Sequence, residues 1–353
     1  DVLWRKSIGA GWSSFAVHGN LIYTQEQRGE DEIVACYNAR NGEPLWYHED
    51  KERFFESNGG AGPRGTPTLS NGRVYALGGT GLFNVLEALN GKIVWSRNVV
   101  KDTKAKVPIW GFSGSPLVID DMVIVAASSS LIAYDIKTGK PRWSKKYEKE
   151  GYSSPQLLNI DSIPQVIFIN ESGIVSVNTA TGKILWEHAW PGTPILQPFI
   201  TPDGDILISV SETSGIRCLS VVNGSNGWTV KERWTSIKLK PYFNDFVVHK
   251  GYIYGFHTRS LACIDVKNGK RKWKGGRYGN GQLILLADQD LLLIISEKGE
   301  VAIVRTDPDI FKELGKFPAI KGKTWNHPVL VKDMLYVRNG REMAAFRLTL
   351  AGN

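Results

Sequence analysis

The sequence predicts an all-β protein: an eight-bladed β-propeller of four-stranded antiparallel blades, its ring closed by the N-terminal strand joining the last blade. Two observations carry this. A Gly-x-x-x-Trp spacing recurs in NGEPLW (41–46), NGKIVW (90–95), TGKPRW (138–143), TGKILW (181–186) and NGKRKW (268–273). The column tryptophans Trp4, Trp46, Trp95, Trp143, Trp186, Trp234 and Trp273 stand 42, 49, 48, 43, 48 and 39 residues apart. A degenerate copy, 301–314, puts Leu314 in the column 41 residues later. The 39 residues that follow, joined to the four ending at Trp4, complete an eighth unit. Periods near 40–45 residues built of short strands mark propeller blades, and one propeller domain is expected over 1–353.

Each unit reads as two hairpins. In LIAYDIKTGKPRW (131–143) a strand, a turn at 137–139 and a second strand carrying Trp143 follow one another. Glycine suits that turn because it accepts positive φ without a Cβ penalty. Upstream, FAVHGNLIYTQ (15–25) and TPTLSNGRVYALGG (66–79) place Gly-Asn and Asn-Gly between apolar runs, which are hairpin signals. Helical periodicity is confined to a short turn expected near 307–314. The tryptophans are expected on the outer strands, packing blade against blade. Burying ~150–250 Å² of ring is worth roughly 4–6 kcal/mol gross at ~25 cal/mol/Å². Six residues before the turn glycine stand Cys36, Val85, Ala133, Ser176 and Cys263, a small-residue packing column that makes the cysteines structural. Asp1–Trp4 is expected to be the outermost strand of the last blade, because DVLW matches KIVW without a preceding turn.

Composition narrows the function. Hydrophobic residues are 42% and charged residues 22% of the chain, as in soluble globular proteins. The longest apolar stretch, 283–295, is interrupted by Asp288 and Asp290, so no transmembrane helix is expected. The chain opens at Asp1 with neither methionine nor a signal-like segment, as expected either where a targeting peptide has been removed or where the sequence is a trimmed piece of a longer one. The net charge of +8 comes largely from lysines after the turn glycines (Lys92, Lys140, Lys183, Lys270), spread around the ring. The denser run of Lys267, Lys270, Arg271, Lys272, Lys274 and Arg277 reads as a solvated turn, and no nucleic acid is expected. Cys36, Cys218 and Cys263 have no metal-ligand spacing, and no metal site is expected.

Aligned on the innermost strands, the units share a polar column: Ser14, Thr66, Ser115, Ser154, Gln197, Asp245, Gln282 and His327. Two positions earlier stand Trp12, Arg64, Ser113, Tyr152, Ile195, Phe243, Asn280 and Trp325. Innermost strands line the central channel, so the first column is expected to form a hydrated ring. Trp12 and Trp325 are expected to be neighbours where the ring closes. The candidate ligand site is the channel mouth: Trp12, Ser14, Arg64, Thr66, Ser115, Tyr152, Ser154, Gln197, Asp245, Gln282, Trp325 and His327. Arg64 would fork onto an anion there, and Asp245 and His327, placed three units apart by the shorter arc, would be separate anchors and not a catalytic dyad. The competing reading is that the column is polar because water fills a channel. No catalytic residue is assigned, since GFSGS (111–115) lacks the last glycine of Gly-x-Ser-x-Gly, and both His-Glu-x-x-His and a phosphate-binding Gly-Lys loop are missing.

The pattern LIAYDIKTGKPRW resembles the repeat of the pyrroloquinoline quinone enzyme-like family of eight-bladed propellers, small-x-Asp-x-x-Thr-Gly-x-x-x-Trp, over essentially the whole chain. With GPRGTPTL, GYSSPQL and TWNHPVLV, the layout is similar to exported bacterial quinoprotein-like propellers, including the lipoprotein type of the outer-membrane assembly machinery. The resemblance implies the fold and leaves function open, since catalytic and non-catalytic members share it. Its dehydrogenases are much longer and carry adjacent cysteines beside the cofactor and a calcium ion held by acidic and amide side chains. Here no two cysteines are adjacent, and Asp245 is the one carboxylate of the polar column. The expectation is therefore a non-catalytic binding or scaffold propeller, monomeric and periplasmic or otherwise extracytoplasmic. It would take a protein, peptide or carbohydrate at its rim or channel mouth, with no cofactor. The alternative is a quinone-dependent oxidoreductase with pyrroloquinoline quinone and calcium in the channel.

Overall fold

The computed structural model describes residues 1–348. Among them, eight four-stranded antiparallel sheets follow one another around a ring. From inner to outer strand, blades one to seven cover 16–50, 68–98, 117–146, 156–189, 199–236, 247–275 and 282–318. Blade eight takes three strands from 329–347 and its outermost from Val2–Ser7. A small hairpin, Phe55–Glu56 with Gly60–Ala61, sits between blades one and two. The helical turns are Val99–Thr103 and Ala287–Gln289. The turn expected near 307–314 is instead a bend running into the strand Glu313–Pro318. No described helix is long and apolar enough to cross a membrane.

The core is a series of apolar layers between blades. Between the second and third, Tyr75, Phe83, Trp95, Val123, Val125 and Tyr134 are buried together. Alternation along each middle strand supplies both faces, since every blade is covered on both sides. The three cysteines are buried in blades one, five and six, and burial pushes each thiol up to about 12, so they remain protonated packing residues.

The Gly-x-x-x-Trp motif works between blades, not within one. Trp46 of blade one lies on Gly91 of blade two, where a Cβ would come within 2.5 Å of the indole. The same fit joins Trp4 to Gly42, Trp95 to Gly139, Trp143 to Gly182 and Trp234 to Gly269. In each case the indole N–H donates to the carbonyl three residues before that glycine: Ala39, Ala88, Ile136, Thr179 and Val266, at 3.0–3.1 Å. The turn glycine thus answers two demands, a positive φ (72° at Gly91) and a face bare enough to seat the preceding blade's indole. Trp186 has no such seat, because blade five replaces the short turn by the long hairpin Ile216–Gly224 and Gly227–Ser236; its indole bonds Gln165 Oε1 at 2.8 Å instead.

Leu314 does not occupy the tryptophan column. In every blade the outer pair carries a bulge just before the column residue, as between Cys36↔Trp46 and Tyr37↔Pro44. In blade seven the corresponding pairs are Ile303↔Gly315 and Val304↔Glu313, which puts Leu314 in the bulge and Gly315 in the column. Leu314 is 44% exposed, and nothing lies within 4 Å of where a Gly315 Cβ would stand.

Closure follows the sequence expectation. Trp4 pairs with Ala345 and is buried, and the N-terminal ammonium donates to the Arg347 carbonyl at 2.9 Å. Deeper in the same seam the fully buried Arg338 guanidinium donates to Thr24 Oγ1 and the carbonyls of Gln25 and Gly9, pinning blade eight to blade one.

Candidate functional site

The connections entering the innermost strands surround a cavity of 690 Å³ at the channel mouth. All twelve candidate residues line it, joined by Ser113, Ile195, Phe243 and Asn280 of the second column. Sequence reasoning missed Glu56, Asn58 and Gly59, which come from the 55–61 hairpin outside the repeat, and Trp110 and Tyr242. A signal for Trp110 existed: it is a tryptophan outside the packing column.

The floor is polar for a structural reason. Thr66 Oγ1 accepts the Ser14 N–H at 2.9 Å, and Ser154 Oγ accepts the Ser115 N–H at 2.8 Å. The Gln197 amide pairs with both the N–H and the C=O of Ser154 at 2.9 Å, and Ser14 Oγ donates to the His327 carbonyl at 2.7 Å. The Asp245 carboxylate accepts the Gln197 N–H. In each case a column side chain ties itself to the backbone of the preceding blade. These groups form an interblade belt whose hydrogen bonds are largely used up, leaving few free to grip a ligand. Gln282 donates to the Trp325 carbonyl at 3.0 Å.

Asp245 and His327 depart from expectation. They belong to blades six and eight, two apart and not three, and His327 Nε2 lies 3.7 Å from Asp245 Oδ2 across the floor. They are neighbours, not separate anchors. Their side chains are 36–37% exposed, toward the cavity they line. Desolvation raises the carboxyl and lowers the imidazole, while the charge of each opposes the shift of the other. Both desolvation effects favour an uncharged pair.

Arg64 also differs from its expected role. Its guanidinium donates to Glu56 Oε1 at 3.0 Å and to the carbonyls of Gly60 and Gly62 at 2.9 and 2.6 Å, 5.0 Å from the Phe54 ring centroid. Both terminal nitrogens are engaged, so Arg64 builds the 55–61 hairpin and offers no open fork to an anion.

The walls are aromatic. Trp12 and Trp325 meet at 4.9 Å between centroids, as the ring closure predicts; Phe243 lies 5.0 Å from Trp325, and Tyr242 5.2 Å from Phe243. Opposite them Trp110 and Tyr152 pair at 4.9 Å. The indoles are held from behind, Trp12 by the Gly59 carbonyl at 2.8 Å and Trp325 by Glu297 at 2.9 Å. Beside the mouth, Phe55 is 62% and Ile109 78% exposed. Such a vestibule can bury apolar side chains between fixed rings.

The calcium ion of the quinone-dependent alternative does not fit these residues. Calcium takes six to eight oxygens. Of the cavity carboxylates, Asp245 faces His327, while Glu56 accepts from Arg64 and from the N–H groups of Asn58 and Gly59. Among the described residues, no three His, Cys, Asp or Glu side chains are grouped to hold a metal.

Residues 1–230 match the family described as outer membrane protein assembly factor BamB. The protein of that name from Shewanella oneidensis is 24% identical over 369 residues, covering 96% of this chain and 86% of the relative. The crystal structure of BamB from Moraxella catarrhalis superposes with a TM-score of 0.70 at 15% identity, covering 99% of this chain and 98% of that one. A quinohemoprotein alcohol dehydrogenase from Pseudomonas putida HK5 gives 0.69 at 14% identity, over 99% of this chain and 76% of its own. Both structural likenesses concern the fold.

Proposed function

Because the chain belongs to the outer membrane protein assembly factor BamB family, we propose that it is a non-catalytic scaffold of outer membrane protein assembly, working outside the cytoplasm as a single propeller domain and a monomer. It holds a polypeptide segment of a partner protein at the channel mouth. The observation that carries this reading is the aromatic vestibule, a rigid wall of Trp12, Trp325, Phe243 and Tyr242 facing Trp110 and Tyr152. Fixed aromatic side chains around a cavity lose little entropy on binding and are the residue types that concentrate interface energy. The exposed Phe55 and Ile109 extend the apolar surface outward, suiting a protein segment more than a compact small molecule. The floor, whose polar groups are mostly spent on the seams between blades, supplies shape.

Photo-crosslinking in cells expressing the protein tests this. Photoreactive residues at positions 55, 109 and 110 should each give a discrete adduct with one partner of outer membrane protein assembly. Positions 89 and 184, exposed on the outer hairpins of blades two and four, should not. Adducts confined to those outer positions would move the site away from the mouth. With purified protein, Trp12→Ala plus Trp325→Ala should remove partner binding while the melting profile shows a folded ring.

A further inference from the structure

The Trp325 ring already carries a cation. Lys323 places its ammonium 3.4 Å from the Trp325 ring centroid and 5.6 Å from that of Trp12, while donating to the Asn58 carbonyl at 2.8 Å. Ring faces attract ammonium and guanidinium groups, and tryptophan does so best. Phe243 continues the same wall. Beneath it, the cavity's two carboxylates differ. Glu56 is neutralised by Arg64 and bonded to two backbone N–H groups. Asp245 has no lysine or arginine partner; His327, at 3.7 Å, is beyond hydrogen-bond length. The adjacent hydroxyls and amides are neutral and tied to neighbouring blades. One unmatched carboxylate below an aromatic wall suits a cation carried on an apolar stem. An acidic group finds no open fork in Arg64, which is engaged at both terminal nitrogens, and the Lys323 ammonium lies on the Trp325 ring outside the cavity lining.

We infer that the cavity takes a lysine or arginine side chain of the partner's segment, its head group on Asp245 and its stem along Trp325 and Phe243. This rests on the reading that the mouth holds a partner polypeptide. A cationic head group restores the charged form of Asp245 that the cavity otherwise disfavours, and a neutral His327 beside it adds no repulsion.

The test titrates blocked glycine peptides bearing a central Arg, Lys, Gln or Glu against the purified chain through the millimolar range, read by tryptophan fluorescence and by heat of binding. The Arg and Lys peptides should bind saturably, and the Gln and Glu peptides about tenfold more weakly or not at all. Asp245→Asn keeps an oxygen for the Gln197 N–H and should melt like the native chain, yet lose about tenfold in affinity for the Arg peptide, while Asp245→Glu should retain most of it. Equal binding of the Gln or Glu peptide, unchanged affinity in Asp245→Asn, or no saturable binding of the Arg peptide would overturn the inference. So would a neutral oligosaccharide binding more tightly than the Arg peptide. If mouth crosslinks persist while the Arg peptide fails, the scaffold reading stands and this inference falls; if the mouth gives no crosslinks, both fall.

Discussion

Gly91 and Trp46 show how one residue type constrains another two strands and one blade away. A Cβ at Gly91 would stand 2.5 Å from the Trp46 indole on a residue whose φ is +72°, so Gly91→Ala combines a clash with backbone strain. Trp46→Ala leaves a gap and should cost about 3–5 kcal/mol. With the indole gone the added methyl has room, so the double variant should be less destabilised than the sum of the singles, by on the order of 1 kcal/mol. Thermal and denaturant melts of the four proteins check this, and simple additivity would mean that the two residues do not share a contact. Glu32 gives a pH-dependent counterpart. It is buried against Gly78 and Gly79, accepts the Gly79 N–H at 3.1 Å, and burial raises it to about 7, with Asp50 and Glu52 adding to the rise and Arg64 opposing it. The folded state therefore holds this proton more tightly than the unfolded chain. Its contribution is most favourable below about 4.5 and declines as pH rises to about 7, by up to about 3 kcal/mol. Glu32→Gln keeps an acceptor for Gly79, so its melting temperature should lack that decline and exceed the native value at pH 8.

At the scale of the blade, the outer strand with its bulge is the repeating device, and blade seven shows what happens when the column residue is absent. Gly315 has open space around its missing Cβ and no positive φ, so Gly315→Ala should stabilise by about 0.5–1 kcal/mol through the unfolded chain. A lowered melting temperature would mean that an unseen contact fills that space. The blades were legible because a scarce residue, tryptophan, marks seven outer strands at a nearly constant period. Blade seven was misread by one position because, without an indole, nothing in the sequence reveals where the bulge falls. Membership of the cavity was legible for the same reason that the fold was: a position fixed relative to the inner strand is fixed relative to the channel. The state of each side chain was not. Arg64 finds Glu56 in a hairpin outside the repeat, and Asp245 and His327, sixth and eighth in the polar column and so two blades apart, bring their side chains to 3.7 Å across the channel.

At the scale of the molecule, stability depends on the joint between blades eight and one. Removing residues 1–7 would uncover the Glu342–Arg347 edge and unseat Trp4 from Gly42 and the Ala39 carbonyl. Such a deletion should lower the melting temperature of the whole ring, by several kcal/mol in stability terms, and favour association through the freed edge. A monodisperse deletion with the native melting temperature would show that the first strand is dispensable. The same joint completes the aromatic wall of the mouth. Trp12 enters the first blade and Trp325 the last, so the two halves of the aromatic wall emerge at opposite ends of synthesis and touch only once the ring has shut. A chain cut short before Trp325 lacks both the Trp12–Trp325 and the Phe243–Trp325 contacts of the wall. Docking at the mouth would then act as an inspection, admitting to the assembly line only those copies that were completed.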